Sequence, residues 1–128
     1  MSQAYKEGTI LQAAFSGRVD GQLKPRPVLF WMKDVNNSSR ILVSGIFGTA
    51  TQRKWEYCLY PSSLNGLTKK CYIRIDTTQF IPIGSILKIR GTLNGIELSF
   101  VKKLLLEYSN EYKSKSPEDF STDPFDIF

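Results

Sequence analysis

Residues 27–47 read PVLFWMKDVNNSSRILVSGIF, and this stretch decides the fold class. Pro27 to Lys33 is apolar almost throughout, and Ile41 to Phe47 is apolar again. A short apolar run without alternation suits a strand covered on both faces. Between the two runs, Asp34 to Ser39 (DVNNSS) is dense in residues whose side chains bond their own backbone and so favour turns. The stretch therefore predicts two buried strands separated by a turn.

Gly8 to Phe15 (GTILQAAF) predicts an earlier strand, and Ser16 to Pro25 a polar loop. After Phe47, a polar loop over Gly48–Lys54 leads to a strand over Trp55–Tyr60 that stops at Pro61. Asn65-Gly66 is a strong turn signal. Cys71 to Asp76 (CYIRID) alternates, which places Tyr72, Arg74 and Asp76 on one face. Ile86 to Arg90 predicts a last short strand.

One helix is expected, starting near Asn94 and ending near Asn110. Asn94 can cap the first turn, and Glu97 can reach back to the cap. Leu98, Val101, Leu105 and Tyr108 recur at helical spacing with Leu104 beside them, while Lys102 and Lys103 fall on the outer face. Residues 110–128 (NEYKSKSPEDFSTDPFDIF) are polar, contain two prolines and show no period. They predict a flexible acidic tail after a body spanning 1–109. The class is mainly β with one C-terminal amphipathic helix.

A chain of 128 residues has room for one core. Residues 1–109 carry 15 Lys or Arg against seven Asp or Glu, +8, and residues 110–128 carry two against five, −3, giving the net +5. A basic body suggests a polyanionic partner, most simply a nucleic acid. No apolar run approaches the roughly 18 residues of a membrane span. Met1 to Gly8 is polar, so export is not expected and a cytoplasmic protein is. Cys58 and Cys71 are isolated and predict reduced, buried thiols.

The sequence contains no histidine, the commonest general base and metal ligand, and no acidic or thiol cluster at metal spacing. It also lacks a phosphate-binding G-x-x-x-x-G-K-[ST] loop and a G-x-S-x-G elbow. No metal and no cofactor is expected. Arginine, carboxylate and hydroxyl groups remain. Arg26 sits between Pro25 and Pro27, whose rings stiffen the backbone on both sides, so its planar donor fork could be fixed toward a phosphate. A surface ion pair is the plainer alternative. Arg74 and Asp76 alternate on one strand, either as a plain i, i+2 ion pair or as a cation and a proton acceptor at a phosphate. An aspartate in water titrates near about 3.9 and is ionised at neutral pH.

Five segments, in order, resemble the PemK/MazF (Kid-like) family of type II toxin endoribonucleases. These are Gly8-Thr-Ile-Leu, Lys24-Pro-Arg-Pro-Val-Leu, Ile41-Leu-Val-Ser-Gly-Ile, the segment Leu67 to Asp76 (LTKKCYIRID), and Ile89-Arg-Gly-Thr-Leu-Asn ahead of the helix. Together they cover about residues 7–108. The resemblance implies a small SH3-like barrel that dimerises, is neutralised by an antitoxin protein, and cleaves single-stranded RNA by 2′-hydroxyl attack on the adjacent phosphate. Carried over residue by residue, it assigns Arg26, Arg74 and Asp76 to the active site. Two positions depart from the family pattern. Its third-strand Thr or Ser falls on Phe47 here, with Thr49 able to serve after a two-residue slip, and a first-loop histidine falls near Asp20.

On this reading Arg18, Lys24, Arg53 and Lys54 would meet RNA phosphates from the two polar loops, and Trp55 or Phe47 would stack on a base. Trp55 reads more readily as a core or dimer-interface aromatic. Two other classes fit the same composition. One is a non-catalytic single-strand-binding barrel of OB type with a partner-docking tail, and the other an inert toxin-like module that binds protein.

Overall fold

The computed structural model describes residues 5–16, 23–50 and 54–115. Among them six strands form one antiparallel sheet: β1 (Thr9–Ser16), β2 (Leu23–Lys33), β3 (Arg40–Phe47), β4 (Glu56–Leu59), β5 (Cys71–Pro82) and β6 (Ile86–Thr92). Their order across the sheet is β4-β5-β3-β2-β1-β6. A helix, α1 (Gly95–Lys115), follows.

The central position of β2 and β3 explains their apolar runs. Leu29, Trp31, Leu42 and Ile46 face the core under α1, together with Ile10, Ile73 and Ile75. Val28, Phe30, Ile41, Val43 and Phe47 face the other way, into a second core with Leu11, Ala13 and Phe15. Both faces of the apolar runs Val28–Trp31 and Ile41–Phe47 are therefore buried. The turn between them is held by Asp34. Its Oδ1 accepts from the Asn36 amide at 2.9 Å, and its Oδ2 accepts from Arg40 Nε at 2.9 Å.

The capping box forms as its spacing predicts. Glu97 N donates to Asn94 Oδ1 at 2.7 Å, and Asn94 N donates to Glu97 Oε1 at 3.2 Å. Leu98, Val101, Leu104, Leu105 and Tyr108 pack on the sheet, and Lys102 and Lys103 are exposed. The helix runs to Lys115 rather than ending near Asn110, so the first part of the expected tail is helical. Glu111 Oε2, 3.1 Å from Lys54 Nζ, ties that added turn to the start of β4. Residues 116–128 lie outside the described residues.

β5 is longer than the alternation of Cys71–Asp76 suggests and continues to Pro82. Its register against β3 breaks between Gly45↔Arg74 and Val43↔Gln79. At this bulge Thr77 Oγ1 donates to Arg74 O at 2.7 Å and accepts from Gly45 N at 2.9 Å. Ser44 meets Thr78 there and accepts from Trp31 Nε1 at 2.8 Å.

The segment between β4 and β5 reaches across to β6, at the opposite end of the strand order. Thr92 N donates to Leu64 O at 3.0 Å, and Arg90 Nη2 donates to Gly66 O at 2.9 Å. Asn65 is buried, and its side chain accepts from Ser62 N and Leu67 N and donates to Tyr60 O. These bonds give the curled sheet its barrel-like form. Gly66 has φ +67°, and a Cβ there would stand 2.1 Å from Arg90 O.

Two outcomes follow from this geometry. Gly66→Ala should lower stability by about 2 kcal/mol or more in urea denaturation, because both the backbone conformation and the Arg90 carbonyl oppose a methyl group. The Asn36 amide first, and then Arg40, hold the Asp34 carboxyl below its ordinary value of 3.8. The stabilisation is therefore complete above the unfolded-state value and fades as pH falls through the lower folded one. Asp34→Asn should flatten that part of acid unfolding, followed by circular dichroism.

Candidate active site

Pro25 and Pro27 lack N–H donors, and the pairing of β2 with β3 begins only at Val28↔Gly45. The stretch Leu23–Pro27 pairs with β1 alone. Arg26, opposite Ala13 on β1, thus lies just beyond the last β2–β3 pair. On the neighbouring strand Phe47 ends β3, 8% exposed. The Arg26 guanidinium carbon lies 5.2 Å from the centre of the Phe47 ring.

A second guanidinium approaches the same ring. Arg74 Cζ lies 4.3 Å from the Phe47 centroid. Arg74 is only 7% exposed. Its Nη2 donates to the Thr49 carbonyl at 2.7 Å. Its Nε faces Glu56 Oε2 at 3.4 Å, within ion-pair range but misaligned for a hydrogen bond. Glu56 is its register partner on β4. Two arginines from two strands therefore share one phenyl ring, and the electron-rich ring offsets part of their mutual repulsion. The ring is seated by Gly45 and Phe15: a Cβ on Gly45 would stand 2.6 Å from Phe47 Cε2 and 2.7 Å from Phe15 Cε2.

Ile73 and Ile75 lie in the core beneath α1, so Arg74 between them projects to the opposite side of β5. Asp76 is partly buried two residues beyond Arg74. The structure thus brings Arg26, Arg74 and Thr49 around Phe47, with Asp76 next along the strand. Thr49 is exposed, and its part in the cluster is its backbone carbonyl. Lys24 is exposed near the start of β2.

Lys54 and Trp55 sit elsewhere. Lys54 pairs with Glu111 of α1 and lies over the Trp55 ring at 4.7 Å. Trp55 meets Tyr108 edge-on at 5.3 Å against the helix-side core. Of the two readings of Trp55, the core aromatic is the one its packing matches. Arg18, Arg53 and Asp20 lie outside the described residues. Cys71 is buried, and burial pushes its thiol above the ordinary range, whereas Cys58 is partly exposed.

Glu56 and the shared Phe47 ring are what sequence reading missed. One signal for Glu56 was present: a lone carboxylate inside the apolar strand WEYCLY needs a partner, and that partner comes from another strand. Among the described residues, no group of three or more His, Cys, Asp or Glu side chains could hold a metal ion, and no helix is long and apolar enough to cross a membrane.

The Arg74–Glu56 pair sets a stability test, since each side chain is only 9% exposed. Glu56→Ala leaves a buried guanidinium short of its carboxylate and should cost about 3–5 kcal/mol in chemical denaturation. Adding Arg74→Met should recover most of that loss.

No protein-family model and no curated protein sequence matches the chain. Solved structures do. The Mycobacterium tuberculosis toxin MazF-mt6 is 22% identical with a TM-score of 0.64, covering 80% of this chain and 96% of its own. A mycobacterial endoribonuclease solved in complex with its cognate antitoxin is 12% identical with a TM-score of 0.62, covering 81% and 93%. MazF in a MazE-MazF structure from Deinococcus radiodurans is 14% identical with a TM-score of 0.55, covering 92% and 100%. At such identities the likeness is one of architecture, and it agrees with the order of segments read from the sequence: this chain has the fold of the MazF toxins.

Proposed function

We propose that the protein is an endoribonuclease toxin of a toxin–antitoxin system, acting on single-stranded RNA in the cytoplasm without a metal. The observation that carries this reading is the convergence of Arg26 and Arg74 on one ring, with Asp76 two residues after Arg74 along β5, on the fold of the MazF toxins.

The chemistry asked of these groups is modest. The RNA 2′-oxygen attacks the adjacent phosphorus, the bond to the 5′-oxygen breaks, and a cyclic phosphate forms. Asp76 accepts the proton of the 2′-hydroxyl, and the leaving 5′-oxygen is reprotonated from solvent. The pentavalent transition state gains negative charge on its oxygens. Arg26, at the edge of the cluster, stabilises that charge through its donor fork. Arg74, fixed by Glu56, Thr49 and Phe47, holds the local positive field.

Phe47 takes the place of the family's hydroxyl, and the arginine pair braced by its ring does the work at that position. An antitoxin protein is the expected partner, as in the antitoxin complexes among the structural neighbours. A homodimer is supported by edge strand β6, which exposes Leu87 and Ile89.

The test is incubation of the protein with a long single-stranded RNA in EDTA, with product ends mapped. Discrete cuts should persist in the chelator. Asp76→Asn should slow them by about 10²–10⁴-fold, and Arg26→Ala by about 10²–10³-fold. Cutting that stops in EDTA, or that survives both substitutions, would overturn the assignment.

A further inference from the structure

Beside the arginine cluster lies a second group of side chains to which neither the sequence reading nor the proposed chemistry gives a role. Tyr72 precedes Arg74 by two residues on β5, on the same face and about 7 Å along the strand. It pairs with Phe47 on β3 and with Cys58 on β4. Tyr60 follows the end of β4 and is 66% exposed. Lys70, one residue ahead of β5, places Nζ 5.7 Å from the Tyr60 ring centre and 5.9 Å from that of Tyr72. Contact with Tyr72 first, and proximity to Tyr60 and Cys58, hold the Lys70 ammonium above the ordinary lysine range. Lys69 reaches over Gly48, where a Cβ would stand 2.9 Å from its Nζ.

A solvent-exposed tyrosine is common, and so is a lysine resting on one. What sets this group apart is its continuity with the arginine pair. Arg26, Phe47 and Tyr72 run across β2, β3 and β5, and Tyr72 leads on to Lys70 and Tyr60. The result is a row of rings and cations. Single-stranded nucleic acid is bound by that pairing: aromatic faces stack on bases, and ammonium groups meet the phosphates between them. A second copy of the chain would favour an apolar surface, which this lysine-bearing patch is not.

We infer that Tyr60, Lys70 and Tyr72 form a base-stacking subsite for the nucleotide adjoining the scissile phosphate, with Lys69 and Lys70 on its backbone. The inference rests on the ribonuclease reading. It gives the site a direction: the strand runs from the Arg26–Phe47–Arg74 cluster outward past Tyr72 to Tyr60. Stacking is tolerant of base identity, so this subsite contributes affinity rather than sequence choice.

The test uses the full chain and a fluorescent, fully 2′-O-methylated RNA oligonucleotide, which lacks the attacking hydroxyl and cannot be cut. Anisotropy in EDTA gives Kd, and circular dichroism confirms that each variant is folded. Tyr60→Ala should weaken binding by about tenfold, Tyr60→Phe should restore it, and Lys70→Ala should weaken it and flatten its salt dependence. An independent readout needs no substitution: the oligonucleotide should slow alkylation of partly exposed Cys58, while buried Cys71 stays unreactive throughout. Binding that falls on Arg26→Ala but survives Tyr60→Ala and Lys70→Ala, with Cys58 unprotected, would overturn the subsite and leave the ribonuclease reading standing. No binding by the folded wild-type chain would overturn both. A Tyr60→Ala chain that keeps its RNA affinity but loses affinity for a polyglutamate peptide would assign the patch to a protein partner and overturn the inference.

Discussion

A buried guanidinium is the constraint around which this end of the molecule is arranged. Arg74 is nearly removed from water, and its charge has to be met from inside the protein. Three different parts of the chain meet it: a carboxylate from β4, a backbone carbonyl beyond β3 and a phenyl ring from the end of β3. Short β4 is thereby locked to β5 by more than its ladder, and the segment after β3 is drawn back over the sheet. Arg26 completes the group from β2, where two prolines end the pairing with β3 and leave room beside the ring.

Much of this architecture was legible in the sequence, for reasons that are local. The turn at Asp34, the two doubly buried strands and the Asn94–Glu97 cap depend on residues a few positions apart, and each formed as its pattern required. The extension of β5 was hidden. The alternation read over Cys71–Asp76 stops short of Thr77 and Thr78, whose hydroxyls bond backbone carbonyls within a bulge in a strand that continues to Pro82. Past Asn110 the helix makes a contact that no short window on the sequence contains: Glu111 meets Lys54, 57 residues earlier.

The candidate site shows the same division. Alternation set Arg74 apart from the helix-side core residues Ile73 and Ile75, but alternation cannot name a partner on another strand. The i, i+2 pairing of Arg74 with Asp76 was the local guess, and the carboxylate ion-paired with Arg74 is Glu56, its cross-strand neighbour. Phe47 illustrates the converse. Against a family pattern it is a lost hydroxyl, and only the fold shows it as a brace between two like charges. Lys54 and Trp55, grouped with the loop cations by sequence proximity, belong with the helix.

The link between the β4–β5 segment and β6 has a consequence for the order in which the protein is made. Tyr60 and Lys70 flank a loop anchored by Arg90 and Thr92, and Arg90 also binds Gln12, 78 residues away. Contacts of such separation close late, because the loops they span must lose their entropy first. A ribosome-bound chain that ends before β6 holds every arginine and carboxylate of the cluster, yet has no anchor for the loop beside it. Assembly of the surface is thus deferred until the last strand emerges, and a truncated product is left without it.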